Sequence, residues 1–324
     1  MKISDVLYSY PDPKRLWPRG NGCAVHILKG SEKIIMVDTG VNNAGFPGRL
    51  IKKMAVDGLA LKDVNEIWIT HPHIDHVNGI PFVQAASEAS VYVHPGGAAY
   101  LKDPTYTVQA LLEAAGDDKS FLLNVSPRML LFGVKFMCGP GPVVEPAALF
   151  ADGEVRDIGF PVEIKFAPGH MPEGVAFFVP SEKILFTGDA FDISRETRPT
   201  LNTPVADWAD LHATLEWMLS KDAEILANGH HWVVTGRDAC RHELETSLGF
   251  LDKIRTATLE VLARGPAGIK NFLRQYNLKD QEQGGFEANV TYWCTMKSLV
   301  REGVVERCPE IKNGKIKRLL WRLA

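Results

Sequence analysis

The amino-acid sequence predicts a layered α/β fold followed by a mainly helical C-terminal quarter. Over the first 250 residues, short β-prone runs alternate with stretches of helical apolar spacing, as in sheets covered by helices. Polar residues that could bind metal follow several of the apolar runs, where strand ends meet in one cleft. A hydrophobic fraction of 45% and a charged fraction of 23% favour an ordinary globular protein over a disordered or fibrous one.

The first elements are predicted to be a hairpin, a helix and two strands. Residues 24–28 and 33–37 are β-prone and are separated by a turn at Gly30, which predicts a hairpin. Residues 47–54 have helical apolar spacing, and residues 66–69 and 90–94 are predicted strands.

The segment 95–160 is less regular. It contains two amphipathic pieces, 108–112 and 129–132, and a glycine- and proline-rich centre at 138–142 that cannot be regular helix. We expect either a lid or pocket insertion over the functional site, or a segment with a purely structural role. The segment holds 5 Lys+Arg and 8 Asp+Glu around its apolar runs, which favours an acyl group over a polyanion as its ligand.

After this segment, strands are predicted at 162–166, 175–179, 183–186 and 224–227, with a helix at 211–219. The pattern changes again near residue 250. Residues 251–324 hold 14 Lys+Arg and 8 Asp+Glu, a balance of +6 in a chain whose net charge is −3. We therefore predict a domain boundary there, dividing the chain into 1–250 and 251–324.

The C-terminal part is predicted to contain helices at 254–262, 269–273 and 290–301. Two β-prone runs follow, and Asn313-Gly314 between them is a strong hairpin signal. Helices followed by a hairpin resemble a winged helix-turn-helix domain, with 290–301 in the recognition-helix position. In such a domain the basic balance could serve phosphate contacts, but the modest charge favours a packing or dimerisation role.

Targeting and redox signals are absent from the sequence. It has no N-terminal signal pattern and no apolar run of membrane-spanning length, so we expect a cytoplasmic protein without membrane contact. The five cysteines are scattered, which favours buried free thiols over a metal knuckle or redox motif. Their positions are Cys23, Cys138, Cys240, Cys294 and Cys308.

The functional signal is a cluster of three histidines and one carboxylate directly after the predicted strand 66–69. Imidazole and carboxylate together suit zinc, iron or manganese. His71 and His73 are two residues apart in an extended segment, so their side chains can converge on one ion. Where a helix begins, Asp75 and His76 point elsewhere and can hold a second ion. The cluster therefore predicts most of a two-metal site.

Four further motifs accompany this cluster: Asp38-Thr39-Gly40, Ala167-Pro168-Gly169-His170, Thr187-Gly188-Asp189 and Asn228-Gly229-His230. In this order they resemble the metallo-β-lactamase superfamily of hydrolases, over residues 20 to 235. The resemblance implies an αββα sandwich with the metals along one edge. A winged helix behind this catalytic fold also occurs in members that resemble glyoxalase II.

The resemblance implies a role for each motif residue. His71, His73 and His170 would bind one metal; Asp75, His76 and His230 would bind the other; and Asp189 would bridge both. Asp38 would support the site by hydrogen bonding, without binding metal. His231 follows His230 directly, and we choose His230 as the ligand because of its spacing from Gly229.

The implied activity is hydrolysis of a small ester, thioester or lactone by a metal-bridging hydroxide, oriented by Asp75 as the catalytic residue. Two divalent ions are expected, with zinc first and iron or manganese as alternatives. A nuclease guided by the winged helix and a metabolite-sensing DNA-binding regulator remain alternatives. The expected partner is a small-molecule substrate; nucleic acid is not favoured, and a homodimer stays open. β-Lactam hydrolysis is not expected, because there is no export signal.

Overall fold

The computed structural model describes residues 1–12, 15–17, 20–42, 45–115, 127–138, 141–192, 198–199, 201, 205–230, 233–268, 286–312 and 315–324. In chain order, the first half contains β1 (Leu7–Pro11), β2 (Arg15–Trp17), β3 (Gly20–Asn21), β4 (Ala24–Lys29), β5 (Ile34–Val37), α1 (Phe46–Val56), β6 (Glu66–Trp68), α2 (Ile74–Val77), α3 (Ile80–Gln84), β7 (Ser90–Val93), α4 (Ala98–Lys102), α5 (Tyr106–Ala115), α6 (Pro127–Cys138) and β8 (Ala148–Leu149). Two short 3-10 helices, Leu61–Asp63 and Pro95–Gly97, connect these elements.

The second half contains β9 (Val155–Asp157), β10 (Pro161–Phe166), β11 (Val175–Val179), β12 (Ile184–Gly188), β13 (Phe191–Asp192), β14 (Arg198–Pro199), α7 (Trp208–Ser220), β15 (Ile225–Asn228), β16 (Val234–Thr235), α8 (Arg237–Leu262), α9 (Phe286–Arg301), β17 (Val305–Arg307), β18 (Glu310–Lys312), β19 (Lys315–Arg318) and β20 (Trp321–Leu323). None of the helices that the structure describes is long and apolar enough to cross a membrane.

Two six-stranded mixed sheets form the centre of the molecule. The first has the order β1-β4-β5-β6-β7-β8, and the second has the order β16-β15-β12-β11-β10-β9. In the first sheet β5, β6, β7 and β8 run parallel, whereas in the second only β12 and β15 do. The predicted hairpin is the antiparallel pair of β4 and β5.

Three layers of apolar side chains hold the sheets and helices together. The inner layer lies between the sheets, where the Trp68 ring is 5.3 Å from Phe177 and 5.8 Å from Phe150, between ring centroids. Because neighbouring strand residues face opposite sides, Phe178 instead joins the layer under α7, α8 and α9. α1 and α3 cover the other face of the first sheet. The predicted αββα sandwich is therefore confirmed.

The C-terminal helices pack on the outer side of the second sheet. α8 begins at Arg237, upstream of the predicted change near residue 250, and continues through that position. The predicted helix at 290–301 is confirmed as α9, and β18 pairs with β19 where the hairpin is predicted. The predicted helix 269–273 and the Asn313-Gly314 turn lie outside the described residues. A winged helix is not evident in the described part, and the division into two domains stays a prediction.

Candidate metal centre

All seven predicted ligands follow strands at one edge of the sandwich. His71, His73, Asp75 and His76 lie after β6, with the last two on α2, while His170 follows β10, Asp189 follows β12 and His230 follows β15. Backbone hydrogen bonds join the two sheets here. The Val175 amide donates to the Thr70 carbonyl at 2.7 Å, and the Ala24 amide donates to the Gly229 carbonyl at 2.6 Å. These bonds hold the two halves of the site together.

The first cluster consists of His71, His73 and His170. His73 Nδ1 lies 3.0 Å from His71 Nε2 and 2.9 Å from His170 Nε2. Nδ1 carries one lone pair or one proton and can serve only one of these partners, whereas a single cation would serve all three nitrogens. Two nitrogens bound to one zinc ion at ~2.1 Å lie ~3.4 Å apart, close to the observed separations. The cluster therefore fits a metal ion.

The second cluster consists of Asp75, His76 and His230. His76 Nε2 lies 3.4 Å from His230 Nε2, and Asp75 Oδ2 lies 3.5 Å from His230 Nε2. The Asp75 and His230 side chains are 20% and 23% exposed, while the His76 side chain is fully buried. Asp75 and His230 therefore form the side of the cluster that solvent or a substrate can reach.

Asp189 lies between the two clusters. Its Oδ2 atom is 2.8 Å from His230 Nε2 and 3.7 Å from His71 Nε2, and its Oδ1 atom is 3.5 Å from His76 Nε2. One carboxylate therefore faces nitrogens of both clusters. The His and Asp clusters are typical of a dinuclear site of this fold.

Electrostatics keep His71 and His73 neutral. Burial and the nearby His170 lower the pKa of His73 to about 3, and burial and His76 place the pKa of His71 well below its usual value. Both imidazoles are therefore neutral at neutral pH, as metal binding requires.

The second cluster attracts positive charge. Burial alone would lower the pKa of His230, but the Asp189 and Asp75 carboxylates raise it to about 9. The adjacent His230 and His76 in turn keep the pKa of Asp189 well below its usual range, despite burial. Carboxylates that stabilise the imidazolium of His230 in this way are also suited to a divalent cation, which would take the place of its proton.

Asp38 orients His76 from behind. Its Oδ1 accepts the Thr70 amide at 2.9 Å, while Oδ2 lies 2.7 Å from the Thr70 hydroxyl and 2.9 Å from His76 Nδ1. Because the carboxylate only accepts, Nδ1 donates to it, and Nε2, which faces His230 and Asp189, is the nitrogen left to bind a metal. The left-handed backbone of Asp38, with φ of 56°, turns its carboxylate toward this position.

Glycine is required at position 229 by close packing. A Cβ atom there would lie 2.1 Å from Asp189 Oδ1 and 3.0 Å from His76 Cε1. The absence of a side chain therefore lets the β15 loop approach the carboxylate between the clusters.

Sequence reasoning missed two neighbours of the site. Thr70 donates to Asp38 and its hydroxyl also lies 3.1 Å from His71 Nδ1, and the position directly before His71 was the available signal. The Cys23 thiol lies 3.4 Å from His76 Nδ1, a contact that no local pattern indicates. Among the other described cysteines, Cys240 and Cys294 are buried as expected, whereas Cys308 is partly exposed. His231 lies outside the described residues.

Sequence comparison finds one family. The model of the Metallo-beta-lactamase superfamily matches residues 18–230. An uncharacterized protein of Mycobacterium tuberculosis is 29% identical over 174 residues, which cover 52% of this chain and 66% of that protein. The acyl-coenzyme A thioesterase MBLAC2 of Bos taurus is 26% identical over 185 residues, which cover 54% of this chain and 61% of the thioesterase. The chain thus spans a little under two thirds of the length of these relatives.

Structural comparison finds the same fold over the whole chain. A metallo-beta-lactamase family protein from Thermus thermophilus has a TM-score of 0.74 at 20% identity, and the match covers 100% of both chains. A beta-lactamase domain protein from Burkholderia ambifaria has a TM-score of 0.69 at 14% identity, covering 99% of this chain and 94% of that one. At these identities the likeness concerns the fold alone.

Proposed function

Because this chain belongs to the metallo-beta-lactamase superfamily, we propose that it is a metal-dependent hydrolase that cleaves a carboxylic thioester, ester or lactone at a dinuclear centre. The observation that carries the proposal is the position of Asp189, whose two oxygens face histidine nitrogens of both clusters within 3.8 Å. Such a carboxylate suits two ions held side by side, which is the arrangement of two-metal hydrolases.

In this proposal His71, His73 and His170 would hold one ion, Asp75, His76 and His230 the other, and Asp189 both. Zinc is our first choice, and the same donors would accept iron or manganese. When bound, two such ions supply an activated water at neutral pH and polarise the carbonyl oxygen of the substrate.

Asp75 orients the attacking water in this proposal. Burial alone would raise the pKa of Asp75, but the nearby His76 and His230 lower it, so the carboxylate is ionised at neutral pH. An ionised carboxylate accepts a hydrogen bond, and the 20% exposure of this side chain leaves it accessible from the cleft. Asp75 can therefore align the water by accepting a hydrogen bond from it.

A carboxylic thioester is our preferred substrate class within this proposal. One relative is named an acyl-coenzyme A thioesterase, and the match to it covers 54% of this chain. The surplus of acidic residues in the segment 95–160 also disfavours a nucleic-acid backbone beside the cleft. We also propose that the chain is similar to the glyoxalase II branch, and that similarity implies a thioester substrate.

A turnover screen tests the proposal. Metal-loaded protein is assayed with acyl thioesters, lactones and a phosphodiester, and we expect thioesters to be hydrolysed. Asp75→Ala should lower kcat about 100-fold, because the attacking water would lose the group that orients it. Asp5→Ala is the matched control, because the Asp5 side chain is 94% exposed at the N-terminus. Full activity of Asp75→Ala with two metals bound would refute the role of Asp75, and turnover of the phosphodiester alone would indicate a nuclease.

For the C-terminal part we propose a winged-helix-like arrangement with a packing role. The support is α8, α9 and the two strand pairs that follow them. Eight side chains on all sides of α9 are at most 3% exposed, which leaves little of it for a DNA groove. They are Val290, Tyr292, Trp293, Cys294, Thr295, Met296, Ser298 and Leu299.

The basic residues of α9 also point to a packing role. Arg301 Nη2 lies 2.9 Å from Asp207 Oδ1, at the N-terminal end of α7, and 2.8 Å from Asp210 Oδ1. The Lys297 ammonium lies 5.3 Å from the centre of the Trp293 ring. These charges are engaged within the protein, so we propose a small-molecule substrate and no nucleic-acid partner.

A further inference from the structure

α6 exposes a row of large apolar side chains on one face. Met129, Phe132 and Phe136 are 65%, 72% and 78% exposed, and their spacing of three and four residues places them side by side along the helix. The Phe132 and Phe136 rings stack with centroids 6.4 Å apart. Exposed patches of this kind on a folded protein usually mark a binding surface.

The border of this apolar row is basic. Arg128 and Lys135 are exposed on the same side of α6, and the helix contains no acidic residue. The acidic surplus of the segment 95–160 therefore lies outside α6. An apolar row with a positive border is complementary to a ligand that combines an apolar chain with negative charge.

α6 lies beside the metal centre. It packs against α2, the short helix that carries Asp75 and His76. The chain that follows α6 remains close to α2, since a Cβ atom at Gly141 would lie 3.8 Å from the side-chain oxygen of Asn78, the residue directly after α2. Helices in contact have axes ~8–10 Å apart, so a chain leaving the metal centre needs to cross only one helix to reach the apolar row.

The space behind the ligands cannot hold an acyl chain. The cavity bordered by His71, His170 and Asp189 has a volume of about 10 Å³. On this measure a cavity of ~10–15 Å³ holds about one water molecule, so this cavity is too small for several methylene groups. An apolar acyl group does not fit this cavity, whereas the side of the centre where Asp75 and His230 are partly exposed is open to it.

We propose that the apolar row of α6 binds the long acyl chain of an anionic thioester substrate while its carbonyl group lies at the metal centre. This inference rests on the proposed thioesterase function and narrows it to long-chain acyl groups. Phe132 and Phe136 determine specificity by covering the acyl chain, and Arg128 and Lys135 attract the negative charge of the carrier thiol.

A chain-length series tests this inference. Wild-type holoenzyme is assayed with the butanoyl, octanoyl and hexadecanoyl thioesters of coenzyme A, and kcat/KM should rise with chain length. Phe132→Gln with Phe136→Gln should lower kcat/KM for the hexadecanoyl thioester about 10-fold or more, mainly through KM, and leave the butanoyl value unchanged. Gln keeps the helix propensity of α6. Val56→Gln is the matched control, because Val56 is 87% exposed at the end of α1.

The outcomes separate the two proposals. No hydrolysis of any thioester would overturn the proposed function itself. Hydrolysis that is independent of chain length, or a double variant equal to wild type, would overturn only the role of α6. Binding of the wild type but not the double variant to anionic phosphatidylglycerol vesicles, with no chain-length dependence, would reassign the row to a membrane surface. If the double variant sedimented at half the mass of the wild type and kept its kinetics, the apolar row would be reassigned to a dimer contact.

The basic border has its own test. Arg128→Gln with Lys135→Gln should lower kcat/KM about 10-fold for octanoyl coenzyme A at low salt, with little change for the uncharged octanoyl thioester of N-acetylcysteamine. An equal loss for both thioesters would contradict an electrostatic role for these two residues.

Discussion

The substitution Asp38→Asn should weaken metal binding although it changes neither size nor shape. In the wild type, Asp38 Oδ1 accepts the Thr70 amide at 2.9 Å, so the amide oxygen of Asn must take that position. The NH₂ group then occupies the place of Oδ2, 2.9 Å from His76 Nδ1. It donates to Nδ1 and moves the proton of His76 to Nε2, the nitrogen that faces His230. Asn also tolerates the left-handed backbone at this position.

Loss of the correct tautomer should lower the affinity for one metal about 10- to 100-fold, or ~1.4–2.7 kcal/mol, the range known for residues that orient metal ligands. Titration calorimetry of chelator-treated protein with zinc measures this directly. Glu66→Gln is the control, because Glu66 on β6 is also a buried carboxylate. It accepts hydrogen bonds from Trp68 Nε1 at 2.8 Å and from Lys33 Nζ at 2.6 Å. If Asp38→Asn bound both zinc ions with wild-type affinity, the tautomer argument would be wrong.

Two further predictions concern positions next to the site. Gly229→Ala should abolish binding of at least one metal, because its Cβ atom would lie 2.1 Å from Asp189 Oδ1; metal content by mass spectrometry checks this, and a variant with two ions would contradict it. His26→Gln should flatten the pH dependence of stability. Burial lowers the pKa of His26 to about 4, so its stabilising contribution is complete above pH ~6.5 and is lost as the pH falls toward 4. The wild type should therefore lose ~2 kcal/mol more than the variant between pH ~7 and ~5, measured by urea unfolding, and parallel curves would contradict this.

Period-two and helical patterns predicted the individual elements and a layered α/β fold, because they mark buried faces directly, whereas the αββα sandwich was implied by the resemblance to a known family. The β4–β5 hairpin, β11 and α9 are confirmed within a few residues of their predicted bounds. The start of α8 was predicted too late, since its first turns are rich in charged residues that lie on the solvent side and weaken the apolar pattern. Local patterns therefore predict the presence of a helix or strand better than they predict its first and last residues.

The candidate ligands could be chosen from the sequence because each follows an apolar strand within a motif of fixed order. The convergence of these ligands in space could not be predicted from the sequence. His73 and His170 are 97 residues apart, and His73 Nδ1 and His170 Nε2 come within 2.9 Å only when the two sheets pack face to face. The Cys23 contact with His76 and the exposed row on α6 likewise depend on which surfaces the packing covers and which it leaves in solvent. Residue types and order determined the chemistry that this chain can hold, whereas distances and exposure were decided by tertiary packing, since they depend on residues far apart in the chain.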